Sequence, residues 1–201
     1  MRSPTSILDL VRARGILRSR DLRSRVGESY RVALSNLTQQ GKLVRVGRGM
    51  YALPDREDTE HAPLAEITLR YPNAVFCLLT ALQIHGLGTQ SPHEVWIAIG
   101  NKDRMPGIDY PPLRVLRFSG EARDYGIAQI SADGVVQIPV TTIAKTIADC
   151  FKFRNKIGLD VALEALRDAW RSKRVTMDEL TEAAKICRVS NVMQPYLESL
   201  A

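Results

Sequence analysis

The stretch KLVRVGRGMYAL, residues 42–53, decides how the N-terminal part of the chain is expected to fold. Strand-forming residues lie on both sides of Gly47-Arg48-Gly49, and this pattern predicts a small β-hairpin with a glycine turn. An arginine at the tip of a tight turn is poorly placed to pack in a core. The stretch therefore predicts a wing that presents Arg48 to another molecule.

Three segments with helical periodicity precede this hairpin, and each ends at a glycine, a residue that often terminates helices. They span residues 4–15, 16–27 and 28–41, with Thr5 or Ser6 as the N-cap of the first and Ser19 as the N-cap of the second. Helix, helix, short turn, helix and hairpin is the order of a winged helix-turn-helix. We therefore predict an α+β protein that begins with a winged helix-turn-helix.

A change in composition near LPDREDTEHAP, residues 53–63, predicts a linker, because two prolines and several acidic residues separate two periodic segments. We expect a DNA-binding domain over 1–56 and a mixed α/β domain over 57–201. The second domain is predicted to contain helices over 63–72 and 74–88, short strands at about 93–140 that form a small sheet, and a helical tail over 141–201.

Charge is divided unevenly between these two parts. Residues 1–56 hold 12 Lys and Arg against 4 Asp and Glu, whereas residues 57–201 hold 16 against 18. Eleven of the twelve N-terminal cations are arginine, whose planar guanidinium suits phosphate and guanine. This balance favours nucleic acid as the partner over an anionic membrane or an acidic protein. A solvated basic face is the alternative.

The third helical segment has the pattern of a recognition helix. Tyr30, Ala33, Leu34 and Leu37 share one face. The opposite face is rich in hydrogen-bonding side chains and carries Glu28, Val32, Ser35, Asn36 and Gln39, with Ser29 and Arg31 on its flanks. Asparagine and glutamine pair with adenine edges, and arginine pairs with guanine or phosphate. Arginines around the preceding helix are assigned to phosphates. The predicted DNA contacts are Arg18, Arg20, Arg23, Ser29, Arg31, Ser35, Asn36, Gln39, Arg45 and Arg48.

Nothing in the sequence has the pattern of a catalytic or metal site. There is no phosphate-binding loop, no nucleophile elbow and no histidine pair at i, i+4. His85 ends a predicted helix, where the helix dipole favours a cation. We expect no enzyme activity, no metal and no cofactor. The three cysteines predict reduced thiols in a cytoplasmic protein, and no apolar run approaches the ~18 residues of a membrane span.

The chain resembles the AbiEi family of antitoxins, which belong to type IV toxin–antitoxin systems of the AbiE type. The resemblance rests on the winged module, on TALQIHGL at 80–87, and on KTIADCFK and NKIG within 145–158. It implies binding to inverted repeats in the protein's own promoter, repression of that promoter, and neutralisation of a nucleotidyltransferase-like toxin without a stable complex.

The resemblance also implies that Arg31, Arg45, Arg48 and the arginines of residues 18–25 contact DNA. A cationic strip formed by Lys152, Arg154 and Lys156 is a candidate second contact surface, and a charged loop between helices is the alternative for it. We expect a monomer in solution that binds DNA cooperatively. Two other functions stay open at this stage: a winged-helix regulator with a ligand-sensing or oligomerising C-terminal domain, and an enzyme such as a nuclease with a DNA-targeting module.

Overall fold

The computed structural model describes residues 6–23, 29–55, 62–108, 110–131 and 136–200. Contacts divide the chain into two compact units. The first comprises Met1–Pro72 together with Ser131–Ile138, and the second comprises Asn73–Ile130 together with Pro139–Ala201. Helices occur alongside a three-stranded and a five-stranded sheet, which confirms the predicted α+β class.

The first unit has the order of a winged helix-turn-helix. Its elements are helix α1 (Ile7–Arg14), strand β1 (Ile16–Arg18), a 3₁₀ helix (Ser19–Leu22), helix α2 (Tyr30–Gln39), strands β2 (Val44–Gly47) and β3 (Met50–Ala52), and helix α3 (Ala62–Arg70). Strand β3 lies between β1 and β2 and pairs antiparallel with both. The elements enclose a core of Leu10, Val11, Leu17, Leu22, Tyr30, Leu34 and Leu43.

The segment predicted as the second helix, residues 16–27, begins as a strand and not as a helix. Ile16–Arg18 forms a strand, because it pairs with Met50–Ala52 as the third strand of the wing sheet. Helical structure starts at Ser19 as a short 3₁₀ helix capped by Arg18, so the prediction that Ser19 is an N-cap was wrong. The N-cap of α1 is Ser6, whose Oγ accepts a hydrogen bond from the Asp9 backbone N–H at 3.1 Å.

The wing turn contains two residues, Arg48 and Gly49, because Gly47 pairs with Met50 as part of β2. Gly49 has φ +71°, a conformation that glycine adopts without strain. A Cβ at Gly47 would lie 2.5 Å from Glu66 Oε1 and 2.6 Å from Met50 Cε, so the ends of those two side chains would have to move. Of the two glycines in the predicted turn, only Gly49 has a positive φ.

Helix α3 belongs to the first compact unit, which extends to Pro72. Arg18 Nη1 donates a hydrogen bond to the Leu69 backbone carbonyl at 2.8 Å. The boundary between domains 1–56 and 57–201 therefore stays a prediction. The N-terminal stretch of the first compact unit ends later in the chain, at Pro72. Residues 56–61, the centre of the predicted linker, lie outside the described residues.

The second unit combines a mixed sheet with helices. Its elements are β4 (Val75–Phe76), α4 (Leu78–His85), β5 (Val95–Gly100), β6 (Leu113–Phe118), α5 (Glu121–Asp124), β7 (Ile127–Ser131), β8 (Gln137–Thr141), α6 (Ile143–Lys152), α7 (Arg154–Ile157), α8 (Leu159–Arg171), α9 (Met177–Ile186) and α10 (Ser190–Glu198). Strand order is β6-β5-β4-β8-β7. Strand β4 runs antiparallel to β5 and parallel to β8, and β5 runs parallel to β6. The small sheet and helical tail are thus confirmed.

Two strands of this sheet were missed by the sequence prediction. Residues 74–88 were predicted as one helix, but Val75–Phe76 pairs with β5 and β8, and the helix begins only at Leu78. Strand Ile127–Ser131 was also not predicted. Pairing with strands distant in sequence decides Val75–Phe76, and such pairing is invisible to local periodicity, whereas Ile127–Ser131 neighbours the nearby strand β8.

A buried ion pair lies in the core of the second unit. Lys145 Nζ is 2.5 Å from Asp149 Oδ2, and each side chain is only 1% exposed. Lys145 Nζ also lies 4.5 Å from the centroid of the Phe118 ring, and Asp149 Oδ1 accepts a contact of 3.5 Å from Cys187 Sγ. Both charges therefore have polar or aromatic partners within the core. Within the described residues, no helix has the length and apolar character of a membrane span.

Candidate nucleic-acid interface

Helix α2 presents a largely polar face to solvent. Tyr30 and Leu34 are buried at 6% and 2% exposure. The opposite face is exposed, as the helical period predicted: it carries Val32, Ser35, Asn36 and Gln39, and the exposed Ser29 and Arg31 lie on its flanks. The amides of Asn36 and Gln39 have the donor–acceptor pair that matches the N6 and N7 groups of adenine. The face therefore has the chemistry of base recognition in a major groove.

Arg31 is held in place by its neighbour on α2. Its Nε donates a hydrogen bond of 3.2 Å to the Tyr30 hydroxyl, and its guanidinium carbon lies 5.7 Å from the Tyr30 ring centroid. Tyr30 thus contributes its ring to the core and its hydroxyl to the surface. Such stacking orients a guanidinium and reduces the entropy lost when it binds a phosphate or a base.

The wing presents two further arginines. Arg45 and Arg48 are both exposed, and Arg45 Nε donates to the Gly47 carbonyl at 3.2 Å. Arg48, at the turn, makes no hydrogen bond or ion pair with any described residue. The turn itself is anchored, because the Ser19 backbone N–H donates to the Gly49 carbonyl at 2.8 Å. The backbone of the wing tip is therefore fixed while the Arg48 side chain remains accessible.

The arginines that precede α2 differ in how accessible their side chains are to a ligand. Arg18 is largely enclosed: its Nε donates to Asp21 Oδ2 at 2.8 Å, and its Nη1 donates to the Leu69 carbonyl. These bonds hold Arg18 within the unit, and its phosphate contact stays a prediction. Arg20 has a side chain 65% exposed and lies 4.0 Å from Asp21 Oδ1. Arg23 is exposed and is compatible with the predicted contact.

The three cations of the candidate second surface also differ in exposure. Lys152 and Lys156 are exposed, and their Nζ atoms lie 6.0 Å and 5.6 Å from the Phe153 ring centroid. Arg154 is half-buried and donates from Nη1 to the Phe151 carbonyl at 2.9 Å. Two of the three cations are thus available to a ligand, and the third stabilises the connection between α6 and α7.

A cavity in the second unit brings Lys152, which the sequence prediction named, together with Lys185 and Arg188, which it missed. Its volume is about 470 Å³, and its lining is Ser119, Gly120, Glu121, Ala122, Lys152, Glu182, Lys185, Ile186 and Arg188. Arg188 has φ +59°, a left-handed conformation that is strained for arginine. The cations at the ends of α6 and α9 were the signal in the sequence, but their convergence depends on tertiary structure.

His85 joins helix α4 to the sheet. Its Nε2 lies 2.7 Å from the Thr141 carbonyl, and Gly86 ends the helix in a left-handed conformation. Burial lowers the pKa of His85 below its usual 6.5, and nearby Arg174 lowers that pKa further. His85 therefore lies at the end of the helix, as predicted, and its lowered pKa favours a neutral ring although the helix dipole there favours a cation.

The cysteines and acidic residues form no obvious reactive centre. Cys77, Cys150 and Cys187 are free and buried, and burial raises the thiol pKa of each; for Cys187 the value is about 11. In the part of the chain that the structure describes, no group of three or more His, Cys, Asp or Glu side chains is arranged to hold a metal ion.

Comparisons with known proteins relate the N-terminal unit to a family. No curated protein sequence matches the chain. Among solved structures, it is similar to the crystal structure of RV2827C protein from Mycobacterium tuberculosis, with a TM-score of 0.48 and 15% identity over 91% of this chain and 75% of that chain. Residues 6–54 match the family model described as "Transcriptional regulator, AbiEi antitoxin". The resemblance to the AbiEi antitoxins that the sequence predicted is therefore confirmed over residues 6–54, which include α1, α2 and the wing.

Proposed function

We propose that this protein is an antitoxin and transcriptional repressor that binds inverted repeats in its own promoter and counteracts a nucleotidyltransferase-like toxin. The observation that carries the proposal is that the polar face of α2 and the wing arginines Arg45 and Arg48 are exposed in the same compact unit. Both lie within the residues that match AbiEi regulators. The proposed activity is binding, in the cytoplasm, without catalysis and without a cofactor.

Helix α2 is the proposed reader of sequence. In a helix-turn-helix, the second helix lies in the major groove and its side chains contact base edges. Asn36 and Gln39 are exposed there and have no side-chain hydrogen bond to a described residue, so their amides are free for adenine. Arg31, oriented by Tyr30, is placed for guanine or for a flanking phosphate.

The wing and the 3₁₀ helix supply the proposed electrostatic contacts. Arg20, Arg23, Arg45 and Arg48 are exposed on the first unit. Neutralisation of phosphates by such arginines releases counterions, so affinity falls steeply as salt concentration rises. Arg48 also has the position from which a wing side chain reaches a minor groove, where A·T tracts concentrate negative potential.

The direct test is a gel-shift titration of the full chain on its own upstream DNA, at several salt concentrations and with random duplex as competitor. We expect specific binding that weakens steeply with salt. Asn36→Ala is expected to reduce discrimination between specific and random DNA by about 1–3 kcal/mol. The DNA-binding proposal fails if the protein does not bind its upstream DNA even at low salt.

The antitoxin activity needs a separate test, because the match over residues 6–54 supports a regulator without identifying the toxin. The full chain and the nucleotidyltransferase-like toxin encoded beside it are expressed from unrelated promoters in one cell. We expect rescue of growth by the wild-type chain and by Arg48→Ala, which retains the second unit. We also expect no toxin to copurify with the tagged antitoxin. Absence of rescue by the wild-type chain would refute the antitoxin role.

A second candidate function is a winged-helix regulator whose second unit senses a ligand. The cavity of about 470 Å³ favours it, because Lys152, Lys185 and Arg188 line it without an ion pair to a described residue. Inorganic phosphate and pyrophosphate are suitable probes for a site with three cations. A change in operator affinity with either probe, beyond that produced by sulfate at equal ionic strength, would support this alternative over the antitoxin.

A further inference from the structure

One exposed residue of α2 is apolar. Val32 is 63% exposed and is the third residue of the helix, in its first turn. Ser35 and Asn36 lie three and four residues further along, which places them on the same face as Val32. Single exposed apolar residues are ordinary on protein surfaces, so the position of Val32 matters more than its exposure.

Val32 contributes little to the folding of the first unit. Tyr30 and Leu34 occupy the buried side of α2, and Val32 lies on the opposite side. Valine is also a weaker helix former than the straight-chain residues usual at exposed positions, because its branched Cβ loses rotamer freedom. Neither core packing nor helix propensity therefore explains an apolar β-branched side chain at this position.

The position of Val32 is one that contacts base edges. N-terminal residues of a recognition helix reach into the major groove, and Val32 belongs to the first turn of α2. The base edges exposed in that groove are hydrogen-bond donors and acceptors, with one apolar exception, the C5-methyl group of thymine. An isopropyl group offers no hydrogen bond, so this methyl group is its matching contact.

We propose that Val32 is a specificity-determining residue that contacts the C5-methyl group of a thymine in the operator; the inference rests on the proposed DNA-binding function. Four residues of helix rise about 6 Å, and base pairs are stacked at about 3.4 Å, so Val32 and Asn36 reach positions about two base pairs apart. The operator half-site therefore contains a thymine within about two base pairs of the adenine that Asn36 contacts.

Deoxyuridine provides the test, because it pairs like thymine and lacks only the methyl group. The operator is first selected from random duplexes with the full-length chain, and each thymine is then replaced singly by deoxyuridine. We expect one position per half-site at which the replacement weakens binding of the wild-type chain about four- to fifteenfold, the range expected for burial of one to two methyl groups. Val32→Ala is expected to bind the thymine and deoxyuridine duplexes within twofold of each other at that position.

Val44→Ala is the matched control. Val44 is an exposed valine on the wing strand β2, 38% exposed, and its replacement is expected to leave the deoxyuridine effect unchanged. Circular dichroism and the salt dependence of binding to random DNA establish that Val32→Ala is folded and still binds phosphates. The inference is overturned if no thymine position is sensitive, or if Val32→Ala retains the full sensitivity. Failure of the wild-type chain to select any sequence would instead refute the proposed function.

Discussion

Arg18 and Arg48 carry the same guanidinium group in opposite surroundings. Arg18 is bonded to Asp21 and to the Leu69 carbonyl, whereas Arg48 lies exposed at a turn whose backbone is fixed by Ser19. A guanidinium that already has partners must lose them before it binds a phosphate, and the exposed one loses only water. The net positive charge of the N-terminal segment therefore overstates the number of arginines that are available to DNA.

Arg48→Ala is expected to weaken binding to operator and random DNA to a similar extent and to lower the salt slope of log K by about 1, because one phosphate contact is lost. Affinity measured across a salt series gives the slope. Arg12→Ala is the matched control, since Arg12 is exposed on α1 and pairs with Asp9 at 3.6 Å. A loss that is confined to one base position would instead assign Arg48 to base recognition in the minor groove.

Among the described residues, Leu78, Lys173 and Arg188 adopt a left-handed backbone without being glycine. Arg188 has φ +59° and Lys173 has φ +54°, and each follows the C-cap of a helix. Glycine at either position relieves the strain, so Arg188→Gly and Lys173→Gly are each expected to raise the free energy of unfolding by about 0.5–1 kcal/mol. Urea unfolding measures the change.

These two glycine variants also distinguish an effect on stability from an effect on ligand binding. Arg188 lines the cavity and Lys173 does not, so only Arg188→Gly is expected to alter any response to phosphate. Gly86→Ala provides the opposite change at φ +60° and should destabilise the protein. If both glycine variants are less stable than the wild type, the side chains stabilise these turns by more than the backbone strain costs.

At the scale of elements, the imidazole of His85 at the end of α4 bonds to the Thr141 carbonyl at the end of β8. Burial lowers the pKa of His85, so its contribution to stability is complete above the unfolded value near 6.5 and is lost as pH falls through the folded value. We expect the urea midpoint of the wild type to fall between pH 7.5 and pH 5. His85→Gln should fall less over the same interval, and equal pH dependence would show that His85 is not the titrating group.

Elements whose pattern repeats along the chain were predictable from sequence. The exposed and buried faces of α2 follow from spacing alone, and so does the N-cap of α9, where Thr176 Oγ1 accepts from the Glu179 backbone N–H. Strands β1 and β4 were missed because their partners are distant in sequence, for example Ile16 opposite Ala52 and Phe76 opposite Val140. Short segments of two or three residues carry too little periodicity to reveal such pairing.

The candidate site, like the fold, was predictable from sequence only where a local pattern indicates it. Residue types and helix faces identified Asn36, Gln39 and the wing arginines. The role of Arg18 depends on a carbonyl 51 residues further along the chain, which no local pattern indicates. Val32 was placed on the exposed face by its spacing, but its apolar character became informative only when the structure showed that no neighbouring element covers it.

At the scale of the whole molecule, the buried pair of Lys145 and Asp149 makes the second unit sensitive to single substitutions. Lys145→Met leaves Asp149 as an uncompensated carboxylate in the core, and breaking such a pair typically costs about 3–5 kcal/mol. Replacing both residues, as Lys145→Met with Asp149→Leu, is expected to restore most of that loss. Urea unfolding of the three variants tests this, and a double variant as unstable as Lys145→Met would contradict it.

The division of the chain into compact units restricts how this protein can recombine with its relatives. The first unit extends to Pro72, and its Arg18 donates a hydrogen bond to the Leu69 carbonyl of α3. A gene fusion with one junction near residue 56 would transfer the wing but leave Arg18 without that carbonyl. An exchange of operator specificity between two such proteins therefore needs a junction after Pro72, so that α1, α2, the wing and α3 are transferred together.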